Sequence, residues 1–348
     1  MKTASALAVS ALAVTVAAVV ISAPPGRSAA KPQAQSAASA TAPWRARLLD
    51  RILPVSLTGG AGSLYATVVG GTLVFRIVRI DPATGKVVAS IGYPGQTNPP
   101  VIADGALWAL WDGSPLRGYN LTTLATETSI PIQSTGQLPV PAAAVAAGPD
   151  GTLYVSAGYG VAVISAHSRR VIRTIPLPEY VGSLAVSPDG TRLYVAFDGI
   201  VGGLKAYNPE TGALLATAGL QARFGSDLVA TAGGVWGIGG TANSSWVFFA
   251  PAGNLSHAVR VASAGANPGA SVSVALGAVW LGGPGRISCA DPVTGRIRAS
   301  AVIPSDRGGA VDISDVSYAG TRVFAAYYDT YSSVGGVVRI QPPKACTR

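Results

Sequence analysis

Seven times along this chain a branched apolar residue and an aromatic open a strand-like run. The pairs are Leu64-Tyr65, Leu107-Trp108, Leu153-Tyr154, Leu193-Tyr194, Val235-Trp236, Val279-Trp280 and Val323-Phe324. Their successive spacings are 43, 46, 40, 42, 44 and 44 residues. This recurrence constrains the fold more than any other feature. A unit of that length cannot bury its apolar face alone and must stack on further copies of itself.

Two kinds of turn punctuate most of the units. Before the aromatic pair come variants of one mark: "ADG", "GPDG", "SPDG", "AGG", "LGA" and "AGT". After it comes a second mark, "IDPATGK", "YNLTTL", "YNPETG" or "ADPVTGR", with "SAHSRR" and "APAGN" as degenerate copies. Alternating runs such as "VVASI" and "VIRTI" follow. Alternation bounded by Gly, Pro, Asn and Asp is the strand signal, so each unit reads as four strands, a to d. A period of 40–46 residues suits propeller blades. The Gly and Pro usage, 43 and 25 residues in a chain that is 49% hydrophobic and 12% charged, fits many short strands joined by tight turns.

The last unit ends soon after its third strand, "GGVVRIQPP", and "RARLLDRILP" before the first unit has no blade of its own. The economical closure lets this N-terminal stretch supply the missing outer strand of the last blade, which removes exposed sheet edges. The expected architecture is all-β: a seven-bladed β-propeller over residues 45–348, closed by an N-terminal strand.

Residues 1–30 carry one lysine, an Ala/Val-rich run and the small residues Ser28, Ala29 and Ala30. They read as a signal peptide, or as an anchor if left uncut. Residues 31–44 read as a flexible Ala/Pro/Ser linker. Export then places the propeller outside the cell or in the extracytoplasmic envelope. The formal charge of +9 is concentrated at the N-terminus, with six basic residues before position 52 against Asp50. The body lacks the clustered Lys/Arg stripes of a nucleic-acid footprint, so nucleic acid is excluded as a partner.

The "LY" or "VW" strand starts, the "PDG" turn and "DPATGKVVASI" resemble the YVTN/NHL-type repeats of secreted bacterial seven-bladed propellers. The resemblance covers residues 45–343. It implies the fold and leaves function open, because that group spans binding modules, surface proteins and a few enzymes.

The repeat marks themselves have a structural role in this frame. Asp189, Asp150 and Asp104 belong to the a–b turn mark, while Asp81, Asp291 and Asn208 open turns completed by Gly85, Gly295 and Gly212. The two histidines, His167 in a c–d turn and His257 in an expected outer strand, have no Cys, His or paired carboxylate at metal-ligand spacing. No metal, cofactor or catalytic constellation is expected. Cys289 and Cys346 fall on neighbouring units and are a candidate disulfide in an exported chain.

The b–c and d–a loops share one face of such a disc and repeat least. Asp112, Asp198 and Asp329 recur in the b–c loops, each after an aromatic, with Tyr328 and Tyr331 nearby. The d–a loops add Glu179, Tyr180, Asp227, Arg307, Asp312 and Asp315. Acids and aromatics converging on one mouth suit a sugar, a peptide, a protein or a cationic small molecule. The expected function is therefore that of a monomeric, exported binding module. The rival classes are a histidine-independent hydrolase or lyase using Asp/Glu, Tyr and Arg of the same face, and an envelope scaffold held by an uncut N-terminus.

Overall fold

The computed structural model of the chain describes residues 45–47, 53–60, 62–70, 74–93, 99–110, 115–133, 144–197, 203–218, 223–241, 244–265, 271–303, 311–329 and 334–347. The expected signal peptide and linker lie outside the described residues. Seven four-stranded antiparallel sheets form a ring, with their first strands innermost. The structure is a seven-bladed β-propeller.

The N-terminal strand is β1 (Arg45–Arg47). Blade one holds β2 (Leu53–Gly60), β3 (Ser63–Val69), β4 (Phe75–Ile80) and β5 (Val87–Tyr93). Blade two holds β6 (Val101–Ala103), β7 (Ala106–Ala109), β8 (Leu116–Asn120) and β9 (Thr126–Ile130). Blade three holds β10 (Val145–Ala147), β11 (Thr152–Ser156), β12 (Gly160–Ser165) and β13 (Arg170–Pro176). Blade four holds β14 (Val181–Val186), β15 (Leu193–Phe197), β16 (Leu204–Tyr207) and β17 (Leu214–Thr217). Blade five holds β18 (Arg223–Thr231), β19 (Gly234–Thr241), β20 (Ser244–Pro251) and β21 (Val259–Gly265). Blade six holds β22 (Ser271–Ala275), β23 (Ala278–Gly283), β24 (Arg286–Ala290) and β25 (Ile297–Val302). Blade seven holds β26 (Asp312–Ala319), β27 (Arg322–Asp329) and β28 (Val334–Ile340), and β1 completes it as the outermost strand.

The core lies between blades rather than within one. Each of the buried apolar clusters spans two neighbours: Tyr65 meets Leu107 and Tyr119 between blades one and two, and Trp236 meets Val279 and Leu281 between five and six. The seven repeating aromatics are all buried, none more than 7% exposed. Each contributes roughly 1.5–3 kcal/mol by leaving water. Three of them also find a polar partner: the Nε1 groups of Trp108 and Trp280 donate to the carbonyls of Ala103 and Ala275, at 3.1 and 3.0 Å, and the Tyr65 hydroxyl donates to Leu121 O at 2.6 Å.

The c–d turns do more than reverse the chain. The Oδ1 of Asp81, Asn120, Asn208 and Asp291 accepts main-chain N–H groups two and three residues on, at 2.7–3.4 Å. Gly85, Gly212 and Gly295 then take φ near +75°. This fold of the turn offers the carbonyl just after its first residue to the preceding blade. Arg322 donates to Pro82 O, Tyr65 to Leu121 O, Arg173 to Pro209 O, Arg192 to Ala252 O and Thr231 to Pro292 O. The turn mark is thus an inter-blade latch.

A second recurrence was not visible in the sequence. In β5, β9, β13, β17, β21 and β25 the register slips by one residue shortly after the c–d turn. Val88, Glu127, Ile172, Leu215, Val261 and Arg298 are the extra residues. These β-bulges interrupt the outer edge and twist it away from strand addition.

Two expectations are corrected. Asp104 is not an Asx residue like Asp150. It takes φ +46 before Gly105 at φ +71, a positive pair that Leu276 and Gly277 repeat, as a type I′ hairpin requires. His257 ends a short 3₁₀ turn, Leu255–His257, because β21 begins only at Val259.

Ring closure has three parts. Arg45, Ala46 and Arg47 pair with Val338, Val337 and Gly336 of β28. Inner strands β26 and β2 are tied by Ser314 Oγ donating to Pro54 O at 2.8 Å and by a carboxylate discussed below. After β28 the chain crosses to blade six, where Cys346 forms a disulfide with Cys289 of β24, their Cα atoms 5.9 Å apart.

Candidate functional site

The inner strands border an axial channel of about 480 Å³, lined by residues of all seven blades. An inner strand has no neighbour on its axial side, so its edge N–H and C=O groups need other partners. Register fixes which side chains meet there. Opposite the b-strand aromatics stand Thr58, Val101, Ala146, Ala185, Val229, Ser273 and Ser317. Two residues earlier on each strand stand Ser56, Pro99, Ala144, Ser183, Asp227, Ser271 and Asp315, one level nearer the b–c/d–a face. That level is a polar collar over five of the seven blades.

One collar side chain reaches the next blade. Asp315 Oδ2 accepts the N–H of Leu57 across the blade seven to blade one seam, at 2.7 Å. Its Oδ1 accepts the N–H of Val316, also at 2.7 Å. Blade three solves the same problem with Ser156, whose Oγ accepts the N–H of Ala144 at 2.8 Å. Capping the inner edge is therefore the structural part of the collar's role.

Asp315 also carries unusual electrostatics. Burial pushes its carboxyl well above the usual carboxylate range, the negative charge of Asp227 pushes it further, and the two N–H donors oppose both. Asp227 and Asp315 stand two blades apart, and both line the channel. Between them β22 contributes Ser271 and Ser273. Both hydroxyls are buried and make no hydrogen bond among the described residues. Ser271 is fully buried and Ser273 lines the channel.

The sequence placed Asp227, Asp312 and Asp315 in d–a loops; the structure places them on inner strands. Asp227 lies within β18, Asp315 within β26, and Asp312 is the first residue of β26. The reason is irregularity: the register shifts between Phe224 and Leu228 and between Ile313 and Asp315, so alternation breaks where the strands begin. Asp329 is the last residue of β27 rather than a loop residue, and it is 3% exposed. Tyr328 pairs with Asp312, so Asp312, Tyr328 and Asp329 gather at one end of blade seven.

Glu179 and Tyr180 lie in the connection between β13 and β14, as expected. Glu179 is paired with Lys205, whose ammonium sits 4.9 Å from the centre of the Phe197 ring. Tyr180 meets Tyr159 edge to face, with ring centres 6.4 Å apart. The structure thus holds three separate groups: the Glu179–Tyr180 corner, the Asp312–Asp329 corner and the channel pair Asp227–Asp315. Asp112, Asp198, Tyr331 and Arg307 lie outside the described residues.

On the opposite face the turn aspartates are occupied. Asp189 is held below its usual range by Ser187 and by the N–H of Thr191. His167 Nδ1 stands 3.4 Å from Asp104 with its side chain 92% exposed. Spatial proximity supplied a carboxylate that sequence spacing did not, but that exposure leaves the pair in water.

The collar serines are the residues that sequence reasoning missed. A signal for them existed. Ser56, Pro99, Asp227, Ser271 and Asp315 each stand nine residues before the repeating aromatic of their unit. Reading that column alone would have separated Asp227 and Asp315 from the loop acids.

No family model and no curated protein matches the sequence. Among solved structures, the chain is similar to one titled Kuenenia stuttgartiensis Hydrazine Synthase. The TM-score is 0.62 at 14% identity, over 82% of this chain and 95% of that one. That likeness is one of fold.

Proposed function

We propose that this protein is an exported β-propeller of the YVTN/NHL-type repeat group, acting as a binding module. Its ligand enters at the b–c/d–a face and reaches the axial channel. The observation that carries this reading is the channel: Ser183, Asp227 and Asp315 of the collar all line one cavity of about 480 Å³. That volume lies in the range of small-molecule sites. Binding is favoured over hydrolysis or lyase chemistry because both Asp315 oxygens already accept main-chain N–H groups, which fixes the carboxyl in place. Export is supported by the N-terminal apolar segment and by the paired cysteines, since disulfides persist in oxidising compartments.

The test is a thermal-shift screen of the full chain against sugars, peptides, amines and metal ions. At least one hit is expected to weaken in Asp227→Asn or in the combined Asp112→Ala, Asp198→Ala, Asp329→Ala variant. Hits that are all indifferent to both variants would sink the reading. N-terminal sequencing of protein recovered from outside the expressing cells is expected to begin at Lys31. Retention of Met1 in a membrane fraction would instead indicate the anchored scaffold.

A further inference from the structure

We propose that the corner where blades three and four meet on the b–c/d–a face binds a neutral saccharide, with a pyranose ring stacked on Tyr159 and its hydroxyls at Glu179 and Lys205. This goes beyond the channel reading, because none of these residues lines the channel. Tyr159 tips the b–c turn of blade three, and Tyr180 lies in the d–a connection that enters blade four. Tyr159 is 43% exposed. Among the described residues the other exposed aromatic is Tyr318, which sits by the a–b turn at the opposite face. The Tyr159 ring belongs to neither buried cluster of blade three, so the fold does not call for an aromatic there.

The platform is built rigid. Gly158 takes φ +73 in the turn, which the N–H of Ala157 closes on Gly160 O at 2.9 Å. The N–H of Leu177 donates to Tyr159 O at 2.8 Å, and the N–H of Val181 to Gly158 O at 3.0 Å. The connection from Leu177 to Val181 is thus bonded to the turn at both ends, and Tyr180 braces the Tyr159 ring edge to face. A ring fixed before binding loses little freedom when a ligand arrives. Beside it Lys205 is fixed by Glu179 and by the Phe197 ring. One Glu179 oxygen takes that bond, while Oε2 of this half-exposed side chain has no partner among the described residues. The chemistry of the corner selects a polyol. The open ring face carries the negative lobe of its π-system, which the weakly positive C–H groups of a pyranose face complement. Glu179 and Lys205 cancel in charge, so the corner offers no net attraction to a cation or an anion. They leave a free acceptor beside spare ammonium hydrogens, and every sugar hydroxyl both donates and accepts. A proline-rich peptide would also lie on a tyrosine. Its carbonyls only accept and its prolyl nitrogens carry no hydrogen, so Glu179 Oε2 would go unserved.

Free oligosaccharides and polysaccharide chains share this chemistry, so the experiment has an arm for each. Calorimetry of the full chain at neutral pH uses cellohexaose, mannohexaose and N-acetylchitohexaose. Native affinity electrophoresis uses hydroxyethyl cellulose, mannan and dextran, and poly-L-proline is the control. Binding is expected with at least one saccharide and not with poly-L-proline. Tyr159→Ala should weaken it roughly tenfold or more, the loss typical of truncating a central aromatic anchor, at an unfolding midpoint close to that of wild type. Tyr159→Phe should restore most of that loss, because stacking needs the ring and not the hydroxyl. Glu179→Gln should weaken binding by a smaller factor, and it reads the site independently if Tyr159→Ala folds poorly. A hexaose that binds assigns the site to short soluble glycans, and retardation by polymers alone assigns it to an extended chain crossing the face. The proposal is overturned if no saccharide of the panel binds, if poly-L-proline gives the Tyr159-dependent response, or if affinity is unchanged in both Tyr159→Ala and Glu179→Gln. A saccharide whose binding falls in Asp227→Asn and not in Tyr159→Ala supports the channel reading and overturns this one. Tyr159-dependent binding that is indifferent to Asp227→Asn upholds this site whatever becomes of the channel.

Discussion

Asp315 does two things at once: it ties the first and last inner strands together, and it holds a largely buried carboxyl at the wall of the channel. Its folded pKa lies above the unfolded value of about 3.9. The native state therefore holds the proton over a pH range where the unfolded chain has lost it. Stability from this group is fully present below the unfolded pKa and is lost as pH rises through the folded one. Asparagine keeps an acceptor for the Leu57 N–H but cannot ionise. Thermal unfolding of wild type and Asp315→Asn across pH 4–8 should show wild type losing stability relative to the variant, by at most about 1.4 kcal/mol per pH unit. Parallel profiles would mean that Asp315 is not strained by burial. A neighbouring residue tests the same seam sterically. A Cβ on Gly59 would come 1.4 Å from the carbonyl oxygen of Tyr318 in β26. Gly59→Ala must push blades one and seven apart, and denaturant unfolding should register a loss of about 3 kcal/mol or more.

At the scale of the element, the c–d turn shows how one sequence mark serves both strand reversal and blade adhesion. Asp291 accepts the N–H groups of Thr294 and Val293 and a guanidinium N–H of Arg298, which hold its carboxyl well below the usual range. Its Pro292 carbonyl meanwhile receives Thr231 of blade five. Asp291→Ala should cost about 1–2 kcal/mol in chemical denaturation at neutral pH. Because the folded pKa is depressed, that cost should shrink as pH falls through the carboxylate range, the opposite trend to Asp315. An equal loss at pH 3 and pH 7 would contradict this assignment. These turns were legible in sequence because an Asx residue, a Pro or Thr and a positive-φ glycine are local requirements. The outer-strand bulges were not. The extra residue is Val88 in one blade, Glu127 in another and Arg298 in a third, since an exposed edge position places little demand on side-chain type. The collar was hidden by bulges too. In "DISDVSYA" the irregular pairing at Ser314 shifts the alternation, so an inner strand reads as a loop with scattered acids.

For the whole molecule, the number of blades was legible because seven buried aromatics repeat at nearly constant spacing, and closure followed from a strand missing at one end and spare at the other. What the repeat does not reveal is how firmly blade seven is held. β1 contributes only three residues to the outer edge of that blade. The disulfide acts on the same blade from its other side, fixing the tail after β28 to β24 in blade six. It closes a loop with a sequence separation of 57 residues, and chain-entropy arguments put the stabilisation from a loop of that size at about 4 kcal/mol. Each device alone keeps β28 docked, so their losses should not add independently. A double-mutant cycle tests this, with removal of residues 1–47 as one arm and Cys289→Ala with Cys346→Ala as the other. Each single change should lower the denaturant midpoint while leaving one cooperative transition. The combined change should exceed the sum of the two and split off an early transition as blade seven detaches. Hydrogen exchange would locate that transition in β26 to β28. Strict additivity, with blade seven protected as well as its neighbours, would show that the inner seam from Asp315 to Leu57 holds the ring by itself.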